Sequence, residues 1–73
     1  MEVQKPLRVL GAALSTKVTV ELRGGVRCTG ILHGYDPHLN LVLKEAREVR
    51  ADEVVEHRLL FLRGDSVVFC QIS

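Results

Sequence analysis

Lys17-Val18-Thr19-Val20-Glu21-Leu22 runs into Arg23-Gly24-Gly25 and then into Val26-Arg27-Cys28-Thr29. The first six residues alternate strictly between polar and apolar, the pattern of a strand with one wet face. A Gly-Gly pair behind such a run supplies the positive φ angles of a tight hairpin, so residues 26–35 return antiparallel to the first strand. That second strand carries Gly30 and Gly34. Glycine weakens a flat strand but lets it bend or bulge, a device for curling a small sheet towards a barrel.

Upstream, Pro6 precedes Leu7, Leu10 and Leu14 at helical spacing, and proline suits a first helical turn; a short helix is predicted over 6–14. Downstream, Asn40 to Glu45 reads as a third strand and Val54 to Leu62 as a fourth. Arg63-Gly64-Asp65 turns the chain into a last strand, Ser66 to Ile72. The mixed charges of Lys44 to Glu53 read as a solvated strand end and loop. The expected class is therefore mainly β, a short N-terminal α-helix followed by a strongly bent five-stranded antiparallel barrel. Strands four and five are apolar on both faces, more than one barrel of this size buries within itself. Nothing in Ser66 to Ile72 blocks edge pairing. If strand five of one copy pairs with strand four of the next, the contact is head-to-tail and can close into a ring.

Size points the same way. Seventy-three residues make one small domain, near the limit at which a lone core holds a fold, so oligomerisation is expected. Ten basic residues against nine acidic leave a net charge of +1, which excludes a polycation that coats any phosphate backbone. Contact with nucleic acid must then be focal. Cys28 and Cys70 have no CxxC or Cys/His spacing and read as small buried hydrophobes; no metal and no cofactor is expected. His33 and His57 read as exposed strand residues. No apolar stretch approaches the ~20 residues of a membrane span and no secretory pattern opens the chain, so an intracellular, cytoplasmic location without membrane contact is expected.

Two polar clusters interrupt this strand-like sequence, Gly34-Tyr35-Asp36-Pro37-His38-Leu39-Asn40 and Leu62-Arg63-Gly64-Asp65-Ser66-Val67-Val68. If the turns meet, they bring together an imidazole, a carboxamide, a guanidinium and two carboxylates. That set suits a planar, hydrogen-bonding, partly anionic ligand, such as a nucleobase of single-stranded RNA. His38 with Asp36 or Asp65 can be drawn as a general base with an orienting carboxylate. No metal set accompanies them and a chain this small has little room for a deep pocket, so the chain is read as no enzyme.

Helix, five strands and two turns together resemble the Sm/LSm family in its archaeal branch. Val18 to Leu43 is similar to the first Sm motif, with Gly30, Asp36 and Asn40 at its glycine and polar positions. Leu60-Phe61-Leu62-Arg63-Gly64-Asp65-Ser66-Val67-Val68 is similar to the second. The resemblance takes in nearly the whole chain as one domain, residues 1–73, with the first motif at about 18–43 and the second at about 60–72. It implies a barrel capped by the helix and a ring of six or seven copies that binds uridine-rich single-stranded RNA at its pore, acting in RNA processing or metabolism. A ring serving mainly as a protein scaffold, with weak RNA binding, is the alternative. Archaeal relatives carry His between the Asp and Asn of the first motif, where His38 stands. Leu39 stands where Met is common, Ser66 where Asn is frequent, and Cys70-Gln71 is a further departure; none touches an expected base contact.

Within that frame each side chain has an expected part. Asp36, His38 and Asn40 alternate at period two and, in extended backbone, project to one side. Asn40 offers an acceptor and a donor that match N3–H and O4 of uracil, and Asp36 accepts an N–H from Asn40 to fix that orientation. His38 and Arg63 sandwich the base. Gly64 permits the tight turn that aims Arg63, and Asp65 holds the guanidinium or the turn amides. Tyr35 either stacks or is a buried structural tyrosine. Lys5 and Arg8 read as a solvated helix face, with phosphate contact the other reading.

Overall fold

The computed structural model describes residues 10–72. Residues 10–12 are helical, and Leu10 and Ala13 are buried. The remainder of the expected helix before Leu10, with Lys5 and Arg8, lies outside the described residues. Five strands follow: β1 (Lys17–Leu22), β2 (Val26–Tyr35), β3 (Leu41–Arg50), β4 (Glu53–Leu62) and β5 (Val67–Ile72). They form one antiparallel sheet in the order β4-β3-β2-β1-β5. Gly24 and Gly25 take φ +86° and +79°, so the β1–β2 turn uses the freedom expected of it.

The sheet bends where β2 meets β3. Thr29 pairs with Arg47 but Ile31 with Lys44, so Gly30 stands opposite two residues, Glu45 and Ala46. Leu32 then pairs with Leu43 and Gly34 with Val42, which leaves His33 as the extra residue on β2. Bulges of this kind kink a strand and increase its twist. Gly30 is needed at the first one: a Cβ there would lie 3.0 Å from the Lys44 carbonyl oxygen and 3.1 Å from the Ala46 Cα. The core fills the concave side with Val18, Val20, Cys28, Leu32, Leu41 and Leu43. Cys28 is buried and Cys70 half-buried, and desolvation pushes both thiols up. Both pair with Val20, on opposite sides of β1, so they sit about 9–10 Å apart across two strand spacings, beyond disulfide reach.

Two expectations need correction here. The charged run after Glu45 is no loop: β3 continues to Arg50 and turns through Ala51 and Asp52 into β4. Polar cross-strand contacts replace apolar ones along it, Arg47 with Glu56 at 3.1 Å and His57 Nε2 with Glu48 Oε1 at 2.9 Å. His57 is therefore half-buried and paired, whereas His33 is exposed as read. Glu48 also accepts from Arg50 Nε at 2.7 Å. The Arg50 bond first, then that of His57, holds the Glu48 carboxyl below its ordinary range.

The sheet is open. β4 and β5 are its outer strands and are not paired with each other. Apolar side chains stand out along both, including Leu59, Phe61 and Val68. Among the described residues, no helix is long and apolar enough to cross a membrane.

Candidate nucleic-acid interface

The β2–β3 loop is built on Asp36. Its carbonyl accepts from the Leu39 N–H at 3.0 Å, closing a β-turn with Pro37 in the position that proline favours. Its backbone N–H donates to the Asn40 carbonyl at 3.1 Å. Its carboxylate takes three more bonds: Oδ1 accepts from the N–H groups of His38 (2.9 Å) and Asn40 (3.0 Å), and Oδ2 accepts from Asn40 Nδ2 at 2.9 Å. These bonds, with the Asn40 side chain contributing most, hold the Asp36 carboxyl below its ordinary value. The expected bond between Asp36 and Asn40 is present. The extended, period-two projection is not: Leu39 takes φ +63°, and the loop turns on itself.

The second cluster docks on the first through its backbone. After β4, Gly64–Ser66 forms a short 3₁₀ turn, and the Gly64 N–H donates to Asn40 Oδ1 at 2.7 Å. Gly64 is required, but for a different reason from the one expected. Its φ is not positive; a Cβ on it would run into the His38 carbonyl oxygen and lie 3.0 Å from the Leu39 carbonyl carbon. Close approach of the two turns is what excludes a side chain. Arg63 reaches Asp65 Oδ2 at 3.3 Å, with the guanidinium side chain 83% exposed, so the pair orients Arg63 without immobilising it.

His38, Asn40, Arg63, Gly64 and Asp65 thus line one open cavity of about 470 Å³. Asp36 stands behind it, acting through Asn40. Beside it lies a second recess of about 570 Å³, where Tyr35, Val42 and Phe61 present apolar surface next to Asp36 and Arg63. Tyr35 itself is half-buried and packs against the core, its hydroxyl close to Gly11, which favours the structural reading of that residue. Gly30 lies at the bulge, away from both recesses. No cluster of metal-ligating side chains occurs among the described residues.

The Asn40 carboxamide is held at both ends. One lone pair of Oδ1 is taken by Gly64 and one hydrogen of Nδ2 by Asp36, which leaves one acceptor and one donor site unused. Flipping the amide would set N–H against N–H and oxygen against carboxylate. The order of donor and acceptor at the cavity is fixed. Sequence reasoning found the side chains of this site but missed the Gly64 amide, since a backbone donor leaves no residue-type signal.

Comparison with known proteins settles the family. The model of the LSM domain matches residues 8–72. The chain belongs to the LSM family. An Sm-like protein of Methanococcoides burtonii is 46% identical over 66 residues, covering 89% of this chain and 92% of that one. Among solved structures, a Pyrococcus abyssii Sm protein in complex with a uridine heptamer is 37% identical, with a TM-score of 0.88 over 96% of this chain and 100% of that one. The P. aerophilum SmAP1 heptamer gives the same TM-score at 28% identity, over 99% and 97% of the two chains. The open, bent sheet and the helical residues before it are thus the LSM fold.

Proposed function

We propose that this LSM protein assembles as a homo-oligomeric ring that binds uridine-rich single-stranded RNA at its pore, serves RNA processing or metabolism in the cytoplasm, and performs no chemistry on its ligand. The observation that carries the reading is the doubly anchored Asn40 carboxamide. Its remaining acceptor and donor match N3–H and O4 of uracil; cytosine presents the opposite order and cannot be met by a flip. His38 and Arg63, on the same cavity, supply the two faces between which a base stacks, for about 1–3 kcal/mol per base. Asp36 and Asp65 act on those residues, as holders of Asn40 and Arg63.

Assembly follows from the edges. β4 and β5 each end the sheet with an unpaired side, and their exposed apolar residues suit pairing of β5 with β4 of the next copy, six or seven times around. A ring turns one modest contact into a useful one, because a strand engaged in one pocket meets the next at high effective concentration. The relatives solved as a heptamer and with a uridine heptamer support both halves of the proposal.

The test compares oligouridine with oligocytidine and oligoadenine at fixed salt, on protein of verified mass, beside Asn40→Ala. The expected result is a preference for uridine that the variant loses on an intact ring. An intact ring that binds none of the three would turn the reading to a protein scaffold.

A further inference from the structure

From the conformation of Leu39 we infer that this residue is a positioning residue for uracil recognition, acting through its backbone and not its side chain. The inference rests on the uridine reading above and names the element that orients its key residue. Asp36 and Asn40 bond through their backbones, leaving a three-residue loop, Pro37-His38-Leu39, made of a β-turn and a final residue in the left-handed region. In hairpin loops of this length that final position is ordinarily glycine. Here it is leucine, at φ +63°.

Nothing in the core holds that leucine in place. The residue is 39% exposed, so burial does not impose the backbone angle. The bonds around it do. Leu39 donates to the Asp36 carbonyl, and the residues on either side, His38 and Asn40, both donate backbone N–H groups to Asp36 Oδ1. The reversal at residue 39 is what lets Asn40 turn its backbone N–H and its carboxamide towards the same carboxylate, and present Oδ1 to Gly64. With residue 39 extended, Asn40 would project alongside His38 and lose both anchors. The unfavourable angle is thus stored between the two residues that meet the base, the usual place for strain that serves a site.

Backbone and side-chain roles separate by substitution. Glycine and asparagine accept the left-handed region, whereas a β-branched residue is a severe outlier there. Oligouridine and oligocytidine binding is therefore measured for Leu39→Gly, Leu39→Asn and Leu39→Val, each checked for ring mass. Leu39→Gly and Leu39→Asn should keep the wild-type ratio of uridine to cytidine affinity and melt at or above the wild-type temperature. Leu39→Val should lose about tenfold of that ratio on an intact ring, the share of one well-aligned hydrogen bond. A loss in Leu39→Gly equal to that in Leu39→Val would overturn the inference, because it would assign the effect to the leucine side chain. So would full selectivity in Leu39→Val. Absence of any uridine preference in the wild type would instead refute the uridine reading itself.

Discussion

At the scale of the residue, two glycines that look alike in sequence have different reasons to be glycine. Gly24 has φ +86° and open space around its Cα, so a methyl group there meets only conformational resistance. Gly64 has no positive φ, and its missing Cβ is the room in which the His38 carbonyl sits. That neighbour is backbone, which cannot swing aside as a side-chain tip does. Gly64→Ala should therefore cost about 1–3 kcal/mol by overpacking and weaken uridine preference, since the Gly64 N–H must retreat from Asn40. Gly24→Ala should cost about 1 kcal/mol and leave preference untouched. Thermal melts paired with the uridine-to-cytidine affinity ratio separate the two; a Gly64→Ala ring with wild-type selectivity would show that the amide contact does not orient Asn40.

At the scale of the element, the β3–β4 hairpin shows why part of the fold was legible and part was not. β1 and β2 could be read because strict alternation ends in Gly-Gly. The sequence pattern of β3 ends at Glu45 because the bulge there shifts the phase: Leu41 and Leu43 face the core, and then Ala46 does. A period-two pattern that slips by one residue amid charges looks like a loop. The polar loop misled in the opposite way, since its residue types were informative while its turn depends on hydrogen bonds to one carboxylate that no spacing reveals. Past Ala46 the hairpin relies on the Glu48 carboxylate, whose side chain is 15% exposed and which bonds both Arg50 and His57. Because the folded state lowers the pKa of Glu48, its contribution is present above the ordinary value of 4.5 and is lost as pH falls through the lowered one. Glu48→Gln should thus cost about 1–2 kcal/mol at pH 7, several degrees of melting temperature, with the gap closing as pH falls below 4.5. Melts of both proteins at pH 7 and pH 3 check this; a constant gap would mean that the charge of Glu48 plays no part.

At the scale of the whole molecule, the proposed ring and the proposed pocket depend on each other. A small chain that leaves Phe61 72% exposed on an edge strand, beside further apolar residues on β4 and β5, has surface that a second copy would cover. In a lone subunit Phe61→Asp replaces a solvated side chain and should change stability within about 0.5 kcal/mol. In a ring closed through β4 and β5 it would place an unpaired carboxylate in an apolar contact, at a cost of several kcal/mol for each interface. The variant should therefore keep its β-sheet circular dichroism while its mass in solution falls from the ring towards the single chain. Affinity for oligouridine should fall with it, although His38, Asn40 and Arg63 are untouched, because a single pocket retains only its own share of the binding. If Phe61→Asp instead runs at full ring mass, Phe61 lies outside the contact and the edges meet by another face. If it dissociates yet binds oligouridine as tightly as the ring, the pocket needs no repetition, and the link between assembly and affinity fails.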